Sequence, residues 1–375
     1  MFKIIAKDKK TMARIGILET KKGAIETPFF MPVASKGSVR FISSEDLEEM
    51  KARAIISNAL LLHLKPGDKI IKKLGGIGKW MNYSGINVTD SGGFQMYSKE
   101  IYLSSSDKGV YFRNHYTKEK IFITPENDME IQLNINSEIA MCLDSMPLYE
   151  HSKKEIAGSV RKTSSWAERC KKHHDKLQKN IKKNKRQLLF GITQGGIFRD
   201  LRKKSAYELV KLNFDGYSIG GLGLGEPKEE QYKIIEHQKK IIPENKPIYL
   251  MGIGTPSEIV EAISKGIDMF DSRFPTQNAR RGTLFTSKGK LRIFNSKYKQ
   301  DKSPIDKKCR CFVCKNYSRS FIRHQLMEET GAGYRLASFH NLYYLQNLLE
   351  EARKAIKKSQ FFEFKKKIIK AYSEK

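Results

Sequence analysis

The feature that most constrains this chain is a repeated alternation. Short apolar runs rich in β-branched residues fall at 29–34, 54–57, 86–89, 138–143, 188–193, 216–219, 248–251 and 267–270. Helix signals lie between most of them. Ser43-Ser44-Glu45-Asp46 reads as a capped start before Leu47 and Met50, and Thr124-Pro125-Glu126 and Thr255-Pro256-Ser257-Glu258 each place a cap ahead of a first-turn proline. Alternating strand and helix signals imply parallel strands joined by helical crossovers. Eight such strands predict a closed (β/α)8 barrel, and the 375 residues leave room for an insertion.

Several expected strands end in a polar or glycine-rich group: Asp90, Asp144, Gln194, Gly220-Gly221, Met251-Gly252 and Asp271. In a (β/α)8 barrel the carboxyl ends of all strands converge on one face, where active sites form. A single carboxylate after a strand is usually a helix cap, but three carboxylates, an amide and two glycine turns at equivalent positions predict a shared site. Two stretches break the alternation. Residues 97–123 read as a hairpin excursion above the barrel, and residues 282–345 as an inserted subdomain. The barrel region is therefore 1–281, and 346–375 is expected to be a C-terminal helix with a basic tail.

The formal charge is +29, from 70 Lys+Arg against 41 Asp+Glu. Lysine predominates, and a solvated surface accounts for much of it. The stretch 273–323 is different, with 15 basic and 2 acidic residues. That density is the footprint of a polyanion partner, nucleic acid being the usual one. A 39% hydrophobic content excludes a disordered tail protein. No apolar run approaches the ~18 residues of a membrane span, and the first residues lack the apolar stretch of a secretory signal, so the expectation is a cytoplasmic protein with no membrane partner.

Three of the five cysteines, Cys309, Cys311 and Cys314, lie within six residues, and His340 follows. Three thiolates and an imidazole form a closed tetrahedral set suited to one structural Zn2+. His324 is a rival fourth ligand.

Thr89-Asp90-Ser91-Gly92-Gly93-Phe94-Gln95, Gly191-Ile192-Thr193-Gln194-Gly195-Gly196, Gly220-Gly221-Leu222-Gly223-Leu224-Gly225-Glu226 and Phe270-Asp271-Ser272-Arg273-Phe274-Pro275-Thr276 occur in this order, followed by the Cys-x-Cys-x-x-Cys…His set. Together they resemble the tRNA-guanine transglycosylases of the queuine tRNA-ribosyltransferase type, from about Ile4 to Leu349. The resemblance implies an α/β fold, an irregular (β/α)8 TIM barrel with an inserted zinc-binding subdomain, usually assembled as a homodimer. It also implies exchange of guanine at the wobble position (34) of tRNA for a 7-deazaguanine, in queuosine modification. By the same resemblance Asp271 is the nucleophile and Asp90 the general acid/base. Ser91, Gly92, Gly93, Phe94, Asp144, Gln194, Gly221, Leu222 and Met251 bind the base, with Phe94 and Met251 on its two faces. Gly252, Ile253, Gly254, Thr255, Pro256, Ser257 and Glu258, with Thr276, Gln277, Asn278, Ala279 and Arg280, contact RNA.

Breaking one N-glycosidic bond and making another needs no nucleotide cofactor, and Gly221–Gly225 lacks the spacing of a dinucleotide loop. The sequence departs from the family pattern in three places. The segment 58–67 lacks a Tyr-His pair, Gln277 stands where arginine is usual, and Met146 stands where bacterial members have cysteine. These positions bear on the incoming base, for which preQ1 is expected and preQ0 or queuine are alternatives. An archaeosine-type enzyme acting with preQ0 elsewhere in tRNA, and a non-catalytic zinc-containing tRNA-binding subunit, are the rival functions.

Overall fold

A computed structural model describes residues 2–373. The chain opens with an antiparallel sheet, β1 (Phe2–Lys7), β2 (Arg14–Thr20) and β3 (Gly23–Glu26), before β4 (Phe29–Pro32), α1 (Ser44–Glu49), β5 (Ala54–Asn58), α2 (Ala59–Leu64), α3 (Asp68–Lys73), α4 (Ile77–Trp80) and β6 (Ile86–Asp90). A second antiparallel sheet follows, β7 (Tyr102–Ser106), β8 (Gly109–Arg113) and β9 (Lys120–Ile123). The alternation then resumes with α5 (Pro125–Ile135), β10 (Ile139–Met141), α6 (Lys153–Leu177), β11 (Leu188–Thr193), α7 (Arg199–Lys211), β12 (Gly216–Ile219), α8 (Lys228–Lys239), β13 (Ile248–Leu250), α9 (Pro256–Ser264), β14 (Met269–Ser272) and α10 (Phe274–Arg280). Beyond α10 come the hairpin β15 (Thr283–Thr286) and β16 (Gly289–Arg292), then α11 (Phe312–Asn316), α12 (Arg319–Met327), α13 (Gly331–Lys357) and α14 (Phe361–Ser373).

All eight expected strands form, parallel, in the order β4-β14-β13-β12-β11-β10-β6-β5. A parallel bridge between Val33 and Ile56 joins the last strand to the first, and the Ala34 N–H donates to the Ile56 carbonyl at 2.7 Å. The sheet is thus a nearly closed barrel. Its strands are apolar on both faces because each is covered inside and out. Inward residues such as Met31, Ile56, Val88, Met141, Phe190 and Tyr249 fill the interior.

The first sheet was not among the expected strands. Phe2, Leu18 and Ile25 join the same interior cluster, so β1–β3 plug the amino-terminal mouth. The three anticipated caps are present. Ser43 and Thr124 each form a capping box, and Thr255 accepts from the Glu258 N–H with Pro256 in the first turn.

The boundary expected at 345/346 falls inside α13, a single 27-residue helix. Gln346 donates to the Phe30 carbonyl at 3.1 Å and Arg353 to that of Pro28 at 2.6 Å, so α13 lies along β4 as a barrel helix would. The C-terminal segment is two helices rather than one. Ser359 adopts φ 53° between them, and α14 turns back to bury Phe361 and Ile368. Among the described residues no helix is long and apolar enough to cross a membrane.

Candidate active site

The register of the barrel sets two carboxylates on its carboxyl-terminal face. Asp90 ends β6 opposite Asn58, and Asp271 lies on β14 opposite Met31 of β4. Only β4 and β5 separate the two strands around the ring. Asp271 is held from one side: the Tyr249 hydroxyl donates to Oδ1 at 2.5 Å and the Gly252 N–H donates to the same oxygen at 2.9 Å. Among the described residues no donor reaches Oδ2, which leaves that oxygen available to an incoming centre. The Gly92 N–H donates to Asp90 Oδ1 at 3.1 Å.

The two carboxyls differ in proton affinity. Burial pushes Asp90 up to about 7, and the Asp271 charge adds to that rise, while the Asn58 amide works against it. Burial also raises Asp271, but the Tyr249 hydroxyl, the Gly252 N–H and Arg273 oppose the rise. Paired carboxyls whose environments differ in this way divide into a proton donor and an anion. Asp271 is the better anion and Asp90 the better acid near neutrality.

Beyond them lies a buried polar cluster. Gln194 Nε2 donates to Asp144 Oδ2 at 2.6 Å, and both side chains are buried. Burial raises Asp144 to about 6, against the stabilising Gln194 amide. Gln194 Oε1 is a buried acceptor with no partner among the described residues, and an orphaned acceptor of this kind is an opening for a ligand donor. Two glycines let the backbone come close to these side chains. A side chain at Gly93 would stand 2.4 Å from Asp144 Oδ1, and one at Gly221, whose φ is +64°, would stand 2.4 Å from Gln194 Oε1. Ser91 is buried and accepts from the Gly93 N–H at 3.3 Å, and Gly92 turns with φ 84°. Leu222 is buried, Met251 packs against the barrel interior, and Phe94 stands half exposed at the rim.

The expected metal ligands converge as well. The ligand atoms of Cys309, Cys311, Cys314 and His340 all lie within 4.8 Å of one another. The three sulfurs sit 3.8, 3.6 and 3.4 Å from His340 Nδ1, close to the ~3.6 Å that a tetrahedral ion with one thiolate and one imidazole arm requires. His340 Nε2 donates to the Phe285 carbonyl at 2.7 Å. That bond fixes the tautomer and turns the Nδ1 lone pair toward the sulfurs. His324 is not part of the cluster, so the set of four is closed and could hold a metal ion with no position left for substrate.

A family model described as queuine tRNA-ribosyltransferase matches residues 8–374. The chain belongs to the queuine tRNA-ribosyltransferase family. It is 46% identical over 374 residues to the queuine tRNA-ribosyltransferase of Thermoanaerobacter sp. (strain X514), covering 100% of this chain and 98% of that protein. Its identity to the same-named protein of Caldanaerobacter subterraneus subsp. tengcongensis is 44% over 371 residues, 99% of this chain and 97% of the relative. With that of Lysinibacillus sphaericus (strain C3-41) it is 44% over 364 residues, 97% and 94% of the two chains. Members of this family are tRNA-guanine transglycosylases, and the chain is an enzyme of that class.

The segments expected to touch RNA lie on the Asp271 side of the mouth. Gly252–Glu258 form the loop and first turn of α9, and Thr276–Arg280 lie on α10. Within them Ile253, Gly254, Pro256, Thr276 and Ala279 are buried, whereas Gly252 and Gln277 are exposed and Thr255, Ser257, Glu258, Asn278 and Arg280 are partly so. Arg280 is crowded by Arg40 and Arg281, and its Nη1 has no partner among the described residues.

Tyr249 and Asn341 escaped the sequence reading, and Asn58 was noted only as part of the 58–67 segment, with no role. Tyr249 sits inside an apolar strand run and looks like core. Asn58 caps α2 through its Oδ1 while its Nδ2 donates to Gln95 at 2.8 Å beside Asp90. Asn341 accepts from the Phe285 N–H at 2.9 Å and donates to the Pro275 and Thr283 carbonyls, each at 3.0 Å. It thereby ties the metal subdomain to the segment after Asp271. Its position next to His340 was the one signal the sequence carried.

Proposed function

We propose that this chain exchanges guanine at the wobble position (34) of tRNA for a 7-deazaguanine, preQ1, through a covalent aspartyl-ribose intermediate. The observation that carries the reading is the unequal pair. Asp271 has one oxygen fixed by two donors and the other unengaged, and Asp90 titrates near neutrality beside it. In the first half-reaction Asp271 Oδ2 bonds to C1′ of the ribose as the bond from C1′ to guanine breaks. Guanine takes the bonding electrons and receives the Asp90 proton. In the second, Asp90 removes a proton from the incoming base, whose nitrogen attacks C1′ and releases the Asp271 carboxylate. Two displacements at one carbon retain its configuration, and no external energy source enters the balance.

The extruded base lies over β10–β13 in this account. Asp144 and Gln194 pair with its edge, and the unsatisfied Gln194 Oε1 supports that role. Phe94 and Met251 cover its faces, and the backbone of Gly221 and Leu222 approaches it. The metal is a single structural Zn2+, which fits the soft donor set and closed geometry; when bound it supplies stability to the subdomain, and the catalytic residues are all elsewhere. RNA is held by the α9 and α10 segments, and the enzyme works in the cytoplasm as a homodimer.

The direct test is incubation with unmodified tRNA carrying a wobble guanine and with labelled guanine. Label should enter the tRNA at position 34. No incorporation at any salt concentration sinks the catalytic reading in favour of a non-catalytic tRNA-binding subunit, and label at another position sinks the wobble assignment.

A further inference from the structure

The base-reading groups and the two carboxylates divide the barrel mouth unevenly. Asp144, Gln194, Gly221 and Met251 come from β10 to β13 or the turns that follow them, the long arc between Asp90 and Asp271. A nucleotide whose base lies over that arc and whose C1′ lies between the carboxylates must carry its phosphates out over the short arc, across β4 and β5. What stands there is a cationic aromatic cluster that the exchange chemistry does not use.

Lys36 follows β4, and the adjacent Ser35 carbonyl accepts from the Asn58 N–H at 3.2 Å. Lys65 caps the carboxyl end of α2, the helix that Asn58 begins, about 10 Å away at 1.5 Å per residue. Both lysines converge on Tyr116, at the turn between β8 and β9. Lys36 Nζ donates to the Tyr116 hydroxyl at 3.1 Å and lies 5.6 Å from its ring centre, and Lys65 Nζ lies 4.8 Å from the same centre. No carboxylate pairs with either lysine among the described residues.

The aromatic partner is fixed in advance. Asn114 Oδ1 accepts from the Tyr116 and Thr117 N–H groups at 2.9 and 3.4 Å, and the Asn114 N–H donates to the Glu119 carbonyl at 2.8 Å. His115 lies against Tyr116, ring centres 3.8 Å apart, and its Nδ1 is buried without a partner among the described residues. Tyr116 is 39% exposed. Two like charges directed at one ring repel each other, and a phosphate between them removes that repulsion. An exposed tyrosine face beside a phosphate grip is the pattern that binds an unpaired nucleotide.

We propose that Lys36, Lys65 and Tyr116 form a clasp for the single-stranded tRNA segment next to the reacting nucleotide, the lysines holding a phosphate and the tyrosine stacking a base. The proposal rests on the transglycosylase reading for the direction in which the strand leaves the site. The β7–β9 excursion, a three-stranded sheet where a hairpin was expected, then serves to present one aromatic residue across the mouth from α9 and α10.

The test compares three variants of the full chain: Lys36→Gln with Lys65→Gln, Tyr116→Leu, and a control, Lys182→Gln with Lys183→Gln. The control removes the same charge before β11, at the opposite end of the barrel. Direct tRNA binding is measured across a salt series, alongside KM for tRNA and for guanine. The double clasp variant should weaken tRNA binding about tenfold and flatten the salt slope by about 1, as loss of one or two single-strand phosphate contacts requires. KM for guanine should stay put. Tyr116→Leu should weaken binding about fivefold or more with the salt slope unchanged, the mark of a lost stack. Replacing both lysines with arginine should restore the slope.

If the clasp variant loses no more affinity than the control, the clasp is wrong even though labelled guanine still exchanges. If wild-type protein binds tRNA but exchanges no guanine, the chemistry fails while the binding comparison still decides the clasp. Equal losses in KM for guanine would also overturn it, by showing a general disturbance of the site.

Discussion

Asp90 and Asp271 are the same residue type on the same rim, and their surroundings separate them. Because Asp90 is raised to about 7, the first half-reaction, which needs its proton, should slow above that pH. The second, which needs its anion, should slow below it. Single-turnover pH profiles of guanine release and base incorporation should therefore bend in opposite directions near pH 7; two flat profiles would remove Asp90 from proton transfer. The same shift has a stability consequence. A carboxyl whose folded pKa exceeds the ordinary 3.8 favours the fold when protonated, and this contribution is full below 3.8 and lost as pH rises through about 7. Asp90→Asn should thus gain thermal stability relative to wild type at pH 8 and show little gain at pH 4. Tyr249→Phe removes one of two donors to Asp271. At about 1.5–3 kcal/mol for a hydrogen bond to a charged group, it should lower kcat by about tenfold to a hundredfold without altering the fold. Both carboxylates were legible in the sequence, since a charge at the end of an apolar run stands out. Tyr249 was not, because an inward tyrosine in a strand has the same pattern whether it packs or donates.

At the scale of elements, α13 joins parts that composition alone separates. It carries His340 toward the cysteines, sets Asn341 against the segment after Asp271, and lies along β4 through Gln346 and Arg353. The boundary placed at 345/346 followed the change in composition, and a continuous helix leaves no composition signal when its two halves bury different faces. The β1–β3 plug was missed for a related reason. Its strands mix apolar positions with charged ones and glycine, which reads as surface until Phe2, Leu18 and Ile25 are seen to join the barrel's interior cluster. Cys309→Ser should lose bound metal, measured by elemental analysis, and melt at lower temperature; full occupancy would argue against ligation. Asn341→Ala strands three backbone groups and, at about 1–3 kcal/mol for each unsatisfied buried group, should cost at least as much stability as the metal-ligand change while leaving metal bound.

At the scale of the whole molecule, the barrel supplies geometry and the charge supplies attraction. The +29 surface should make tRNA affinity fall steeply with salt, since each phosphate neutralised releases counterions. Base affinity, which the proposed function assigns to the buried Asp144 and Gln194, should change little over the same series. Eight strands and the carboxylates at their ends were readable because a period and a chemistry coincide at those positions. Closure was expected from the strand count, but the pair that makes it, Val33 beside Ile56, was not readable, because it rests on register. The account stands or falls on the bond between Asp271 and ribose. Mass analysis of the denatured complex formed with tRNA and no incoming base tests it directly. Wild-type protein should carry a covalent ribonucleotide mapped to the peptide containing Asp271, and Asp271→Asn should carry none. An undiminished adduct in the mutant, or one mapped to Asp90, would contradict the account.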